Sequence, residues 1–438
     1  MKLYRLIPGA LLAALVVPAA AQDITFGPAE LIPDAPAKYR LSRNSRGQAA
    51  FDANGRLHLV YWTGAEATLP ATPSRIYYRS WTRLDGWSER VQVEQSRDNL
   101  DRELGGRNPA LLVTPAGEVV VAWGDYRHTT DGGGGIDNIE IYLDRRPVGG
   151  DFVAGDLRLT YTTATHSGDN GYAPRIARST DGRLHVLWYD FNDNPMVSDL
   201  YLASSDTAGV FNPAEGLAAW RLTNQADRGP TPSAYTLGDV VVDSADAIHI
   251  IWMEGTAGKG PIRHAVVGAT RPVAETIIAT EAGGFFDPPR LLATADGSVW
   301  AVYTDRTGTN PGDIAARRLA PGGGSFGAAI AITNHPATQR QADVAADSTG
   351  RLHFVWVDER DGLQRVFHRT FDPGSGLLGA ETILTANSSN WARPVVAING
   401  EDQLAVVAEE DLGTAQGRLW WVRSDPALSA GAAWLMLP

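Results

Sequence analysis

Six arginines stand ahead of similar segments spread along the chain: Arg46, Arg107, Arg175, Arg290, Arg340 and Arg393. A guanidinium stays charged at any working pH and presents a planar fork of donors. A set of them facing one space would therefore bind a carboxylate bidentately. Two residues past the end of the same segments come Thr63, Asp125, Asp190, Glu254, Asp305, Asp358 and Glu410, all but the first acidic. Carboxylates so placed cap loops, pair with arginines, or act as general acids and bases. Four histidines, His58, His185, His249 and His353, share one position in the segments, and His264 and His368 fall in the strands that follow, so these six read as structural. His128, His166 and His335 break the pattern and lie in loops, where an imidazole can give or take a proton near neutral pH.

The segments that carry these groups are GRLHLVY (55–61), GEVVVAW (117–123), GRLHVLW (182–188), DAIHIIW (246–252), GSVWAVY (297–303), GRLHFVW (350–356) and the degenerate DQLAVVA (402–408). Their ends are 62, 65, 64, 51, 53 and 52 residues apart, a spacing that marks a repeat architecture. The third unit shows four β-rich runs, at 174–177, 184–188, 199–204 and 220–223, separated by Gly, Asp, Asn and Pro. Four-stranded units repeated in this way predict an all-β fold: a single β-propeller of seven blades, with six as the alternative. The stretch 24–32 resembles a fourth strand, FGPAELI beside FGAAIAI at 326–332, and would close the ring; 433–437 is the other candidate. In such a ring the loops entering first strands and those leaving second strands share one face. The arginines and the carboxylates are accordingly expected to form two interleaved rings there.

Of 438 residues 44% are apolar and 20% charged, which indicates a folded globular chain. The net charge of −12 argues against a nucleic-acid partner and against anionic lipid. Lys2 and Arg5, an apolar run at 10–17 and Ala19-Ala20-Ala21 form a secretory signal, predicting cleavage after 21 and a propeller domain over 22–438. No later run reaches the ~20 apolar residues of a spanning helix. The absence of cysteine excludes disulfides and thiolate metal sites. A monomer in the periplasm or secreted medium is expected.

The segment 107–146, RNPALLVTPAGEVVVAWGDYRHTTDGGGGIDNIEIYLDRR, resembles the opening blade of sialidases: an Arg-x-Pro motif, a hairpin, an Asp-rich loop and a strand ending in paired arginines. The wider chain is similar to BNR-repeat, sialidase-like propellers at the level of blade pattern. The resemblance implies that Arg107 is the first arginine of a carboxylate clamp, with Arg127 beside it and the others drawn from Arg175, Arg290, Arg340 and Arg393. It implies Asp131 as general acid with Asp137 as second candidate, and a tyrosine nucleophile, Tyr172 or Tyr235, activated by a glutamate such as Glu254. Sialidases normally have six blades and begin with the arginine motif, whereas here a whole repeat precedes it. The family's Asp-box survives only in eroded form around Asp85-Gly86-Trp87.

Seven-bladed relatives of BNR-repeat proteins include lyases of uronic-acid polysaccharides. That likeness implies a proton-abstracting group made of His128, His166 and Tyr172, with Arg175 neutralising the uronate. Either chemistry implies an acidic glycan, a sialic acid or a uronate, as partner. The competing expectation is a non-catalytic module for glycan or protein, with Trp391 or Phe285-Phe286 either as contact surface or, the favoured reading, packed between neighbouring blades. No cofactor is expected; calcium is suggested only by Asp190-Phe191-Asn192-Asp193-Asn194, where Pro195 replaces the turn glycine. The glycine run 132–135 lacks the Lys-Ser/Thr of a phosphate loop, and no Gly-x-Ser-x-Gly elbow is present.

Overall fold

The computed structural model describes residues 24–33, 39–40, 48–63, 74–95, 106–125, 139–153, 155–161, 173–194, 197–212, 220–224, 237–254, 259–268, 273–283, 287–385, 388–413 and 416–424. Within them strand follows strand in antiparallel meanders, and the fold is an all-β β-propeller. Among the described residues no helix is long and apolar enough to cross a membrane.

The first meander shows why the repeat folds as it does. Asp52 Oδ1 accepts the backbone N–H groups of Asn54 and Arg56 at 2.9 Å each, and Gly55 supplies the left-handed residue, φ +75°, that ends the turn. The strand Leu57–Thr63 then runs with period two. Leu57, Leu59 and Tyr61 enter one core cluster with Val395, Val407 and Trp421, while Val60 and Trp62 enter another with Leu111, Val121 and Trp123. A strand buried on both faces needs apolar residues throughout, so the repeated segments read as unbroken apolar runs. Each core cluster joins one meander to the next in this way.

The innermost strands are Ala49–Phe51, Gly106–Val113, Arg175–Arg178, Leu237–Val242, Arg290–Ala293, Gln339–Ala346 and Asn390–Ile398. Each touches its successor, and the last touches the first, so the arrangement closes on itself. The closing pair is the one expected from 24–32: Glu30 pairs with Trp421 and Leu31 with Trp420, completing the sheet of Asn390–Ile398. The likeness of 26–32 to 326–332 is also spatial. Gly27 N donates to Arg423 O at 3.0 Å and Gly327 N to Arg318 O at 2.8 Å. The Phe26 ring meets His368 edge-on at 4.9 Å, as Phe326 meets His264 at 5.0 Å. The alternative closure, 433–437, lies outside the described residues.

At the turn face the repeated histidines are bonded in place. His249 bridges Asp243 (3.2 Å) and His264 (3.0 Å), and His353 bridges Asp347 (3.2 Å) and His368 (3.1 Å). His58 meets Tyr78 at 2.7 Å, and His185 meets Ser179 and Ser204 at 2.6 and 2.8 Å. In the third meander the strand expected at 184–188 runs on to Asn194, which pairs with Val197, so the calcium-like stretch 190–194 is the end of that strand. The outer run 220–223 contributes a single bridge, Tyr201 with Arg221.

Candidate functional site at the channel mouth

The register of the inner strands divides the arginines between two levels. Opposite the next-to-last residue of each repeated segment stand Ala110, Arg175, Asp239, Arg290, Asp343 and Val395, facing Ala122, Leu187, Ile251, Val302, Val355 and Val407. In the first meander Gln48 takes this place, its carbonyl accepting Val60 N at 2.8 Å. Four consecutive members alternate in charge and are linked. Arg175 Nε lies 3.3 Å from Asp239 Oδ1, Arg290 Nη1 lies 3.1 Å from Asp239 Oδ2, and Arg290 Nε donates to Asp343 Oδ1 at 2.8 Å.

This belt also staples neighbouring blades to one another. Asp239 Oδ2 accepts Leu291 N at 2.9 Å and Asp343 Oδ2 accepts Val396 N at 3.0 Å. Burial opposes the charge of Arg290, but its two carboxylate partners outweigh it and hold its pKa above the ordinary value. The two arginines of the belt, Arg175 and Arg290, are thus committed to protein carboxylates.

One step nearer the mouth, Arg107 faces Gly124 and Arg340 faces Val357. Each precedes a bulge whose residue is left-handed without being glycine: Asn108 (φ 53°) and Gln341 (φ 56°). Arg393 (φ 55°) is itself the bulge residue of the last meander, where Ala392 faces Glu409. Arg393 is therefore equivalent to Asn108 and Gln341, not to Arg107, and the single ring of arginines expected from counting residues does not form.

The bulges are tied together across the blades. Asp287 Oδ1 accepts Gln341 N at 2.7 Å, and Gln341 Oε1 accepts Arg393 N at 2.9 Å. Arg340 pairs with Glu359 at 3.0 Å and Arg393 with Glu409, while the Arg107 guanidinium stands 6.0 Å over the Trp62 ring.

The ring of carboxylates is largely taken up by the scaffold. Two residues along a strand point the same way, so Asp125, Glu254 and Asp358 accept the indole N–H groups of Trp123, Trp252 and Trp356 at 2.9, 3.1 and 3.1 Å. Glu254 also takes Arg263 Nε at 2.7 Å, and Asp358 takes Arg360 Nη2 at 2.6 Å. Burial works against the charge of Asp358, yet the bonds from Arg360 and Trp356 outweigh it and hold its pKa below the usual range. Glu410 accepts Trp420 Nε1 at 2.8 Å. Trp391 is not a contact surface but packs between neighbouring meanders, the favoured of its two readings, buried with its ring edge-on to Trp420 at 5.9 Å. His335 caps its own turn, its Nδ1 accepting Ala337 N at 3.1 Å.

Of the remaining expected site residues, Arg127, His128, Asp131, Asp137, His166 and Tyr172 lie outside the described residues, as do Arg46 and Tyr235. One group that sequence reasoning missed is Glu94. In four other meanders a threonine after the fourth strand accepts the N–H of the third strand: Thr160 from Ile141, Thr223 from Leu200, Thr333 from Ile314 and Thr385 from Val366, at 2.8–3.0 Å. Glu94 Oε2 fills that slot for Ile76 N at 2.8 Å, and its Oε1 accepts no hydrogen bond among the described residues. Arg75 Nε lies 4.0 Å away, beyond hydrogen-bond reach. Burial foremost, and then the charge of Asp125, raise the Glu94 carboxyl well above the usual carboxylate range. The signal was present in the sequence, as the one acidic residue in a series of closing threonines.

No protein-family model and no curated protein sequence matches the chain. Solved structures do match it, through their fold. An ulvan lyase of polysaccharide lyase family PL25, bound to a GlcA(1-4)Rha3S unit, aligns with TM-score 0.56 at 11% identity, over 91% of this chain and 98% of its own. The NanB sialidase from Streptococcus pneumoniae aligns with TM-score 0.50 at 10% identity, over 91% and 71%. A fungal alcohol oxidase of the AA5 family, in complex with copper, aligns with TM-score 0.52 at 12% identity, over 92% and 77%. The chain thus shares the β-propeller fold of sialidases and polysaccharide lyases. An oxidase on the same fold shows that the architecture does not choose the chemistry.

Proposed function

We propose that this chain is an exported seven-bladed propeller, freed of residues 1–21, whose channel mouth binds an acidic glycan through Arg107 and Arg340. The blade count rests on the closed succession of inner strands and on the core clusters shared by successive meanders. The observation that carries the binding role is the division of the arginines. Arg175 and Arg290 are locked in the belt and Arg393 is buried against Glu409, whereas Arg107 and Arg340 stand above the part of the ring where the belt gives way to Val395, Gln48 and Ala110.

On this reading the glycan's carboxylate meets the mouth guanidiniums, and the acid or base comes from the loops after Asp125 and before Ala173, with Asp131, Asp137, His128, His166 and Tyr172 as candidates. Hydrolysis would release a free sialic acid. Elimination would remove the proton from carbon five of a uronate and break the bond from carbon four to the glycosidic oxygen, which leaves as a hydroxyl of the neighbouring sugar, so that an unsaturated uronate remains. The test is binding and turnover of sialylated and uronate glycans by the parent, Arg107→Ala and Arg340→Ala. Both variants should lose binding by about tenfold or more, the worth of one charge-assisted contact. Folding should be retained, because neither arginine belongs to the belt. Unchanged binding in both would overturn the proposal.

A second reading, a non-catalytic glycan-binding module, is favoured by how fully the described carboxylates of the mouth serve indoles and arginines. Loss of binding in these variants, together with no product from any acidic glycan in the parent, would establish it.

A further inference from the structure

On the face opposite the mouth, a cavity of about 450 Å³ opens on the seam where the N-terminal strand closes the ring. Phe51 leads into the turn that ends at Gly55, and Gln403 follows the turn at Asn399–Asp402, which fixes the groove on the turn face. Trp81 and Phe51 are half-buried walls, and Arg83 and Arg423 are exposed at the rim. Arg423 stands over two indoles, 5.0 Å from the Trp81 ring and 5.3 Å from the Trp421 ring. Stacking of this kind holds a guanidinium in place through its flat face and leaves its N–H edge for a ligand. Its one ion pair among the described residues is a long contact with Glu30 at 3.9 Å, both side chains being nearly half exposed. Arg83 makes no ion pair or hydrogen bond among the described residues.

We propose that this groove is a second saccharide site, separate from the mouth, which takes an anionic sugar residue with its ring against Trp81 and Phe51 and its carboxylate or sulfate ester on Arg83 and Arg423. The volume falls within the range of small-ligand sites, and the combination of aromatic wall, amide and cations, one of them held by stacking, is the one such a ligand requires. Two exposed arginines beside a single acid also form a local positive patch on a chain of net charge −12. An anionic polymer could then engage both faces of one molecule, or bridge two molecules.

The test is calorimetric titration with a galacturonate oligosaccharide into a chain carrying Arg107→Ala and Arg340→Ala, so that only the groove remains to bind. Binding should persist there, weaken about tenfold on adding Arg83→Ala, and strengthen with Glu30→Gln, which removes the competing carboxylate. Arg83 is exposed, so its replacement leaves folding intact. A sulfated dextran in place of the galacturonate separates sulfate from carboxylate recognition, and either one binding supports the site. Absence of binding in that background, indifference to Arg83→Ala, or equal binding of neutral dextran would overturn it. Failure of the mouth reading looks different: the double replacement would then leave the parent's affinity and stoichiometry unchanged.

Discussion

Replacing Glu94 with glutamine should stabilise the protein, and only at higher pH. The carboxyl is 3% exposed, donates nothing that the repeat requires, and occupies a slot that threonine fills in four other meanders. In the unfolded chain it titrates near about 4.3. In the fold, burial and the neighbouring Asp125 raise it well above that range. A group raised on folding contributes its stability below its unfolded pKa and loses it as the pH climbs through the folded value. Each unit of displacement corresponds to about 1.4 kcal/mol. Glutamine keeps the size and the acceptor for Ile76 N but never ionises. Glu94→Gln should therefore match the parent near about pH 4 and exceed it by about 1–3 kcal/mol near about pH 8, the cost of one buried uncompensated polar group. Urea unfolding across that range is the assay. A parent more stable than the variant at high pH would mean that Glu94 is ionised and paired with Arg75, and the reasoning would fail.

The belt gives a larger effect of opposite sign: Asp239→Asn takes from Arg290 one of its two carboxylates and from Arg175 its belt partner, and should lower unfolding stability by about 3–5 kcal/mol, read from the urea midpoint. Acid should loosen the turn face. Burial first, then a facing histidine, pushes His264 down to about 4 and His368 to about 3. The unfolded chain binds those protons more readily, so their contribution is whole above about pH 6.5 and declines as the pH falls toward the folded values. His264→Phe should flatten that decline in thermal melts. Phe26→Ala removes the ring that covers His368 and should cost about 1–3 kcal/mol. Limited proteolysis should then cut within 24–33 before the remainder of the chain.

The architecture was legible because both determinants are local. A second strand buried on two faces must be apolar throughout, as at Leu57–Trp62, and the closing strand carries its own likeness in 26–32 and 326–332. The site was legible only in part. Counting residues back from each second strand placed Arg107, Arg175 and Arg393 in one ring, but bulges at Asn108, Gln341 and Arg393 each insert a residue, and no residue type announces them. Trp391 reads as a loop aromatic, yet Asn390–Ile398 begins one residue before it and draws the indole under Trp420. Charge alternation along Arg175, Asp239, Arg290 and Asp343 was visible letter by letter, but it acquires meaning only once the register places the four side by side.

That alternation also bears on where a ligand can sit. A glycan carboxylate competing for Arg290 would have to displace Asp239 and Asp343, whose other oxygens hold Leu291 N and Val396 N. Breaking such a buried pair costs about 3–5 kcal/mol. A bidentate carboxylate, at about 1.5–3 kcal/mol for each hydrogen bond to a charged group, would spend much of its gain on that exchange. At Arg340 the competitor is Glu359, whose side chain is 34% exposed, and screening by water makes that pair far cheaper to part. The Arg107 guanidinium stands over the Trp62 ring, an aromatic face that helps to orient it toward the mouth. The proposed site thus gathers on the arc from the sixth meander round to the second, where the belt is interrupted and Arg340 and Arg107 stand above it.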